Sequence, residues 1–159
     1  MPDPASRAAP HSFEYGTDGP RAIVVGVDGS SSSLRAAAYA AGLARRQRSR
    51  MVAVYACRPP GAGGLASTVA PLTVAVHDAQ GQIESELRSA LLHQARTWGI
   101  EAELIVRIGE PLRVLTCVAA EVRADAIVVG SSATVAHKLA RSLGTRLVRR
   151  APCPVTVVP

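Results

Sequence analysis

Residues 127–145 read I-V-V-G-S-S-A-T-V-A-H-K-L-A-R-S-L-G-T, and a second apolar run follows from Pro152 to Val158. In the first stretch an apolar strand pattern ends at Gly130, and a loop of small residues leads to Gly144-Thr145 beside a helix pattern. Backbone N–H groups in such a loop and at a helix start have no intrahelical acceptor, and the helix dipole favours an anion there. The stretch is therefore suited to holding a phosphate group.

The rest of the chain repeats this alternation of strand and helix. Apolar strands are predicted at residues 21–28, 51–57, 101–107, 125–130 and 153–158. Helices are predicted between them, at residues 30–48, 78–98, 111–122 and from 142 or 144 to 150. This order specifies an α/β fold with a five-stranded doubly wound parallel sheet and right-handed crossovers. In such a sheet, ligands bind outside the carboxyl ends of the strands, where the strand order reverses.

Capping signals indicate where the predicted helices begin and end. One of Ser30 to Ser33 is expected to cap the first helix. Asp78 is expected to cap the second helix, which Gly99 ends. Pro111 is expected to begin the third, because its fixed backbone angle suits the first turn of a helix. All four signals are consistent with the alternating order.

The segment from Arg58 to His77 is harder to interpret. It begins with Pro-Pro-Gly and Gly-Gly and continues into an apolar run that Pro71 interrupts. It fits a lid, an extended segment packed on the body, or a surface for a partner. The role of Leu65 to Val76 stays open.

Length and composition favour one domain with an aliphatic core. The chain has 159 residues, of which 48% are hydrophobic and only 3% aromatic. Aliphatic cores are common where parallel strands are buried on both faces. Residues 1–20 mix Pro, Ser, Gly and Asp without periodicity, so we expect a disordered tail before a domain at residues 21–159. No apolar run has membrane-spanning length and no signal peptide is recognisable, which predicts a cytoplasmic protein.

The three cysteines, Cys57, Cys117 and Cys153, include no C-x-x-C pair. This spacing argues against a disulfide framework and against a structural zinc site. Free cysteine usually behaves as a small hydrophobic residue, so all three are predicted to be buried.

The chain is basic, with a formal net charge of +6. Residues 136–150 contribute Lys138 and four arginines without any acid, and a basic surface of this kind attracts nucleic acid or acidic partners. The few aromatic residues form no cluster of the type on which single-strand binders stack bases. A solvated basic face is therefore favoured over a nucleic-acid site.

Four motifs resemble the universal stress protein family. They are I-V-V-G-V-D-G-S at residues 23–30, V-R-I-G-E-P at 106–111, D-A-I-V-V-G-S at 125–131 and L-G-T-R-L-V-R-R-A-P-C-P-V-T-V-V at 143–158. The resemblance spans about residues 21–158 in the family's order. It implies an adenine-nucleotide alpha-hydrolase-like, Rossmann-like sandwich. It also implies a site for ATP or another adenine nucleotide in members that carry the motif G-x-x-G, nine residues, then G-S or G-T.

This chain departs from that nucleotide motif at two positions. Ala133 stands where the second glycine is expected, and Gly144 comes one residue late. A loop that curls around phosphates often needs glycine for positive φ or close approach, so both changes weaken the expected site. The residues that the resemblance places at the site are Asp28, Val54, Gly130, Ser131, Ser132, Gly144 and Thr145.

Structural roles compete with these assignments. Asp28 can satisfy backbone donors at the first turn of its helix, and Gly144-Thr145 can serve as a tight start of the last helix. Ser30 to Ser33 has no accompanying Ser/His/Asp arrangement, so capping explains it better than catalysis. No catalytic residue is therefore predicted. No metal site is predicted either, because no group of His, Cys, Asp and Glu has the spacing of metal ligands.

The resulting expectation is a non-enzymatic stress-response or regulatory protein with a weak or vestigial adenine-nucleotide site. An ATP-hydrolysing or phosphate-transferring enzyme is an alternative, for which Asp28 is the candidate base. A basic module that binds nucleic acid or an acidic partner is another, through Arg141, Arg146, Arg149 and Arg150.

The last strand predicts a homodimer. Pro154, Val155, Thr156, Val157 and Val158 form an apolar run that lacks a neighbour on one side unless another chain pairs with it. The family resemblance implies the same interface.

Overall fold

The computed structural model describes residues 21–57, 70–131 and 142–159, with the backbone alone for residues 70–80. Within these ranges nine elements alternate along the chain. They are β1 (Ala22–Gly26), α1 (Ser31–Gln47), β2 (Arg50–Cys57), α2 (Ala70–Trp98), β3 (Ala102–Ile108), α3 (Pro111–Glu121), β4 (Ala126–Gly130), α4 (Leu143–Arg150) and β5 (Val155–Val158).

The five strands form one sheet in the order β3-β2-β1-β4-β5, and every pair of neighbours is parallel. The chain builds the sheet outward from β1 in one direction and then returns to add β4 on the other side of β1. The predicted doubly wound α/β fold is therefore confirmed. Its switch point lies between β1 and β4, and its two edges are β3 and β5.

Helices cover both faces of the sheet. Ile23 and Val25 of β1 pack in one core with α1 and α2, whereas Val24 packs in the other core with α3 and α4. All three are fully buried, as expected for a central parallel strand. The core on the α1 side is rich in alanine, because the buried residues of α1 are Ser33, Ala36, Ala40, Ala41 and Ala44. Small side chains let this helix lie close to the sheet.

Most of the helix signals act as predicted. Ser30 caps α1, and its hydroxyl accepts the Ser33 N–H at 3.2 Å. Glu110 caps α3 with Pro111 in the first turn. Gly99 follows α2 with a φ of 63°, a left-handed conformation that glycine adopts without strain. These contacts place the starts of α1 and α3 at the carboxyl ends of β1 and β3.

The predicted start of α2 is wrong. The helix begins at Ala70, so Asp78 lies inside it and is no cap. Pro71 stands in the first turn, where a missing N–H costs no intrahelical hydrogen bond. The later part of the Arg58–His77 segment is therefore helical and not extended. Residues 58–69 lie outside the described residues, as does the predicted tail at residues 1–20.

Two smaller expectations are also corrected. Cys57 is buried and Cys153 is partly buried, but Cys117 is exposed, because it lies on the outer side of α3. The last strand begins at Val155, whereas Cys153 was the predicted start. Pro154 has no amide hydrogen, and it contributes only its carbonyl, which accepts the Ile127 N–H at 2.9 Å.

Candidate functional site

A cleft of about 510 Å³ opens at the carboxyl ends of β1 and β4. It lies at the switch point of the sheet, the place where doubly wound folds bind ligands. The ends of β1 and β4 and the starts of α1, α3 and α4 surround it. Six of the predicted site residues line it: Asp28, Val54, Gly130, Ser131, Gly144 and Thr145. Ser132 and Ala133 lie outside the described residues.

Hydrogen bonds hold the turn between β1 and α1. The Asp28 carboxylate accepts the Ser30 N–H at 2.9 Å. The Ser33 hydroxyl donates to the Ser30 carbonyl at 2.9 Å and accepts the Asp28 N–H at 3.3 Å. Asp28 thus has the structural role that competed with a ligand role, although it still faces the cleft.

The protonation of Asp28 follows from these bonds. Partial burial raises the pKa of this carboxyl, but hydrogen bonds from Ser30 and Ser33 outweigh it, and the pKa lies below its ordinary value. A carboxylate with a lowered pKa is a weaker base. Asp28 therefore stays charged at neutral pH.

The end of β4 is in tight contact with the start of α1. A Cβ added to Gly130 would lie 2.5 Å from both the carbonyl carbon and the carbonyl oxygen of Ser32. Only glycine lets the helix start approach the strand so closely. The next amide, that of Ser131, donates to the Val158 carbonyl at 2.7 Å. Gly130 and Ser131 thus have packing and sheet-pairing roles that require no ligand.

The start of α4 forms the opposite wall of the cleft. Ser142 is its N-cap, and its hydroxyl accepts the Thr145 N–H at 3.2 Å and lies 2.9 Å from the Thr145 hydroxyl. Leu143 and Gly144 contribute the two preceding amides of the first turn. A Cβ on Gly144 would lie 2.8 Å from a methyl group of Val157 in β5. This glycine therefore lets α4 pack against the last strand.

Val54 lies deep in the cleft wall. Its side chain is only 1% exposed, and its carbonyl accepts the Val27 N–H at 2.9 Å. Its carbonyl therefore already takes part in pairing within the sheet. Ala56 lies two residues nearer the carboxyl end of the same strand and also lines the cleft.

The apolar wall of the cleft was not recognised in the sequence. It consists of Leu115 of α3, Val129 of β4 and Val157 of β5. Leu115 and Val129 belong to apolar patterns that also predict ordinary core packing, and Val157 is predicted only as part of the dimer edge, so no sequence signal placed them in the cleft. The wall supplies a surface against which a flat apolar group can pack.

Charge in the cleft is sparse. Among its described lining residues only Asp28 is ionisable, and the other residues with polar side chains are serines and a threonine. Arg146 lies near the rim, where it donates to the Glu110 carboxylate at 2.7 Å. An anionic group in the described part of the cleft would be held by amides, hydroxyls and helix dipoles.

The described residues contain no group of three His, Cys, Asp or Glu placed to hold a metal ion. None of their helices combines the length and the hydrophobicity needed to cross a membrane.

The family model of the universal stress protein family matches residues 20–159. The chain belongs to this family. The match covers every element of the sheet and both walls of the cleft, so the family's fold and the observed topology agree. No curated protein sequence matches the chain.

Solved structures of universal stress proteins share the fold. UspA from Lactobacillus plantarum has a TM-score of 0.74 at 22% identity, with 89% of this chain and 99% of that one covered. A universal stress protein in complex with cAMP has a TM-score of 0.60 at 26% identity, with 87% and 97% covered. The Archaeoglobus fulgidus protein in complex with dAMP has a TM-score of 0.59 at 25% identity, with 89% and 98% covered.

Proposed function

We propose that this universal stress protein is a non-enzymatic, cytoplasmic stress-response module that binds an adenine nucleotide weakly in the switch-point cleft. One observation carries the proposal: the ends of β1 and β4 and the start of α4 meet around a cleft with one apolar wall and one wall of hydroxyls and amides. An adenine base fits the first wall and a phosphate fits the second. The relatives in complex with cAMP and dAMP support this class of ligand.

Weak binding is expected from the hydrogen bonds already made at the cleft. The Ser131 amide donates to Val158, and the Thr145 amide donates to the Ser142 hydroxyl. These amides are two of the donors that a phosphate would otherwise engage. Asp28 also adds a negative charge to the cleft, which opposes a highly charged ligand. We therefore expect a monophosphate or cyclic nucleotide to bind at least as well as ATP.

Isothermal titration of the purified protein with AMP, cAMP and ATP tests this proposal. Ala56→Leu narrows the cleft, and Ala124→Leu is its matched control, because both alanines are partly buried against the same core but only Ala56 lines the cleft. We expect A56L to weaken binding of AMP by at least about tenfold, and A124L to leave it unchanged. Equal affinities in both variants, or no binding by the parent protein, would reject the site.

A hydrolytic or phosphate-transferring enzyme is the alternative at the same cleft. Its candidate base, Asp28, has a lowered pKa and accepts the Ser30 amide, which makes it a poor proton acceptor. Phosphate release from ATP with magnesium, abolished by Asp28→Asn, would establish the enzyme and overturn the non-enzymatic proposal.

We also propose a homodimer in which residues 154–158 of two copies meet. β5 is an edge of the sheet and carries no charged side chain, whereas the opposite edge, β3, carries Glu103 and Arg107. Charged side chains discourage pairing between edges, so β5 is the edge better suited to it. Val157 is also 44% exposed in the isolated chain.

Sedimentation of two lysine variants tests the dimer. We expect Val157→Lys to shift the protein from dimer to monomer, because it places a charge in the edge. Val148→Lys is the control, since Val148 is 66% exposed on the neighbouring helix α4. If V157K sediments like the parent protein, the proposed interface is wrong.

A further inference from the structure

A second opening lies on the face of the sheet that α1 and α2 cover. It is a groove of about 280 Å³ that runs between the two helices above β2 and β3. Met51 and Ala53 form part of its floor, and Leu87 and Leu91 of α2 form one wall. The groove is separate from the switch-point cleft, and Val27 is the one described residue that lines both.

The groove exists because α1 presents small side chains to α2. Ala37 and Ala38 line the groove from α1, opposite the leucines of α2. A methyl group cannot bridge the space that a longer side chain would fill. The same alanine-rich composition that brings α1 close to the sheet thus leaves a channel beside it.

The register of the strands gives the length of the groove. Met51 pairs with Ile23, Val54 pairs with Gly26, and Val27 lies one residue beyond that pair. Since Met51 and Val27 both line the groove, it extends over about four residues of strand, or about 13 Å. A volume of about 280 Å³ over this length leaves a mean cross-section of about 20 Å². One extended hydrocarbon chain has a cross-sectional area of this size.

The described part of the groove's lining is almost entirely apolar. Gln94 is its one polar residue among those described, and none is charged. Leu34 stands at one end, 50% exposed, and Trp98 lies at the other. An apolar channel that opens to water is characteristic of a ligand site and is too narrow for a helix of about 10 Å diameter.

We propose that this groove binds the hydrocarbon chain of a free single-chain amphiphile, with its polar head outside the groove. The chain would lie along the strands between α1 and α2 and bury its methylene groups against Leu87, Leu91 and Trp98. The head stays in water because the described lining offers no charged partner. Occupation of the groove is independent of the nucleotide cleft, so saturating AMP leaves it unchanged.

Trp98 makes the proposal directly testable, because it is the only tryptophan in the sequence. Its fluorescence is followed during titration with hexanol, octanol, decanol, dodecanol and tetradecanol. Each added methylene is expected to strengthen binding about fourfold until the groove is filled, after which the affinity stays constant. No fluorescence change, or affinity that keeps rising through the whole series, would overturn the proposal.

Two variants place the binding in the groove. Ala38→Phe inserts a ring into the groove, and Ala120→Phe is the matched control on the exposed side of α3. We expect A38F to weaken decanol binding at least about tenfold and A120F to leave it unchanged. Ala37→Leu, which narrows the same groove with a smaller side chain, replaces A38F if circular dichroism shows that A38F is unfolded. Unchanged affinity in the folded groove variant would contradict the site.

Two further measurements distinguish other occupants. Phosphatidylcholine vesicles carrying the same quantity of acyl chain are expected to leave Trp98 fluorescence unchanged, and a response as large as that to decanol would assign the surface to a bilayer. Decanol is expected to leave the sedimentation coefficient unchanged. A shift toward monomer would identify the groove as a contact between copies and overturn the proposal.

Discussion

Gly130 and Gly144 line the same cleft, but different groups stand against them. An added Cβ at Gly130 would meet the backbone carbonyl of Ser32 at 2.5 Å, whereas one at Gly144 would meet a side-chain methyl of Val157 at 2.8 Å. Backbone in a capped helix start cannot move without breaking hydrogen bonds, but a methyl group on an edge strand can shift. Both glycines are required by packing, to different degrees. Their presence alone is therefore poor evidence for phosphate binding.

The largest expected effect is that of Gly130→Ala. The added methyl group has to displace the start of α1, which should lower the free energy of unfolding by about 3 kcal/mol. Urea denaturation of the parent and the variant measures the change. Gly81→Ala is the control, because among the described residues no atom outside the neighbouring helical backbone lies within 4 Å of a Cβ at that position of α2. We expect G81A to be neutral or stabilising by about 0.5 kcal/mol, and equal free energies for both variants would contradict the packing argument.

Gly144→Ala is expected to have an intermediate effect, about 1 to 2 kcal/mol, because Val157 can yield. Val157→Ala removes the opposing methyl groups, so the double variant should be more stable than the sum of the single changes predicts, by about 1 kcal/mol. A double-mutant cycle from urea denaturation measures this coupling. Strict additivity would show that α4 avoids the clash by moving as a whole.

The smallest expected effect concerns the turn that presses on Gly130. The lowered pKa of Asp28 means that its charged form is stabilised by folding, so this contribution is present above the pKa of the unfolded chain. It is lost as the pH falls through the lower pKa of the folded protein. The stability difference between the parent and Asp28→Asn should therefore shrink from neutral pH to acid pH. Urea denaturation at pH 7 and pH 3 checks this, and a difference that does not vary with pH would exclude the charge as its cause.

Local sequence patterns predicted most of the fold. The alternation of apolar strands with capped helices was sufficient for the order of elements, and signals such as Ser30, Pro111 and Gly99 lie where they were expected. The start of α2 could not be predicted in this way. Pro71 is compatible with an interruption of the apolar segment and equally with the first turn of a helix. Asp78 is a residue type that often caps helices, although it lies inside α2.

The candidate site was predicted in part. Asp28, Gly130 and Gly144 were found because glycines and acids after strands are visible in sequence, and the fold brings them to one cleft. Leu115 and Val129 were not found, because residues that line a cleft have the same apolar character as residues that fill a core. The groove between α1 and α2 was also not predicted. It depends on how far apart two helices pack, and no local pattern contains that distance.

The sequence alone determined the family, the order of strands and helices, and the edge of the sheet at which polar loops collect. These properties follow from hydrophobic periodicity and backbone chemistry, which are local along the chain. The tertiary structure decided what each residue in those loops touches: Ser32 against Gly130, Val157 against Gly144, and Val158 as acceptor for the Ser131 amide. These contacts join residues distant in sequence, and their distances arise only when the helices pack on the twisted sheet. They give the glycines of an apparent phosphate loop a structural role.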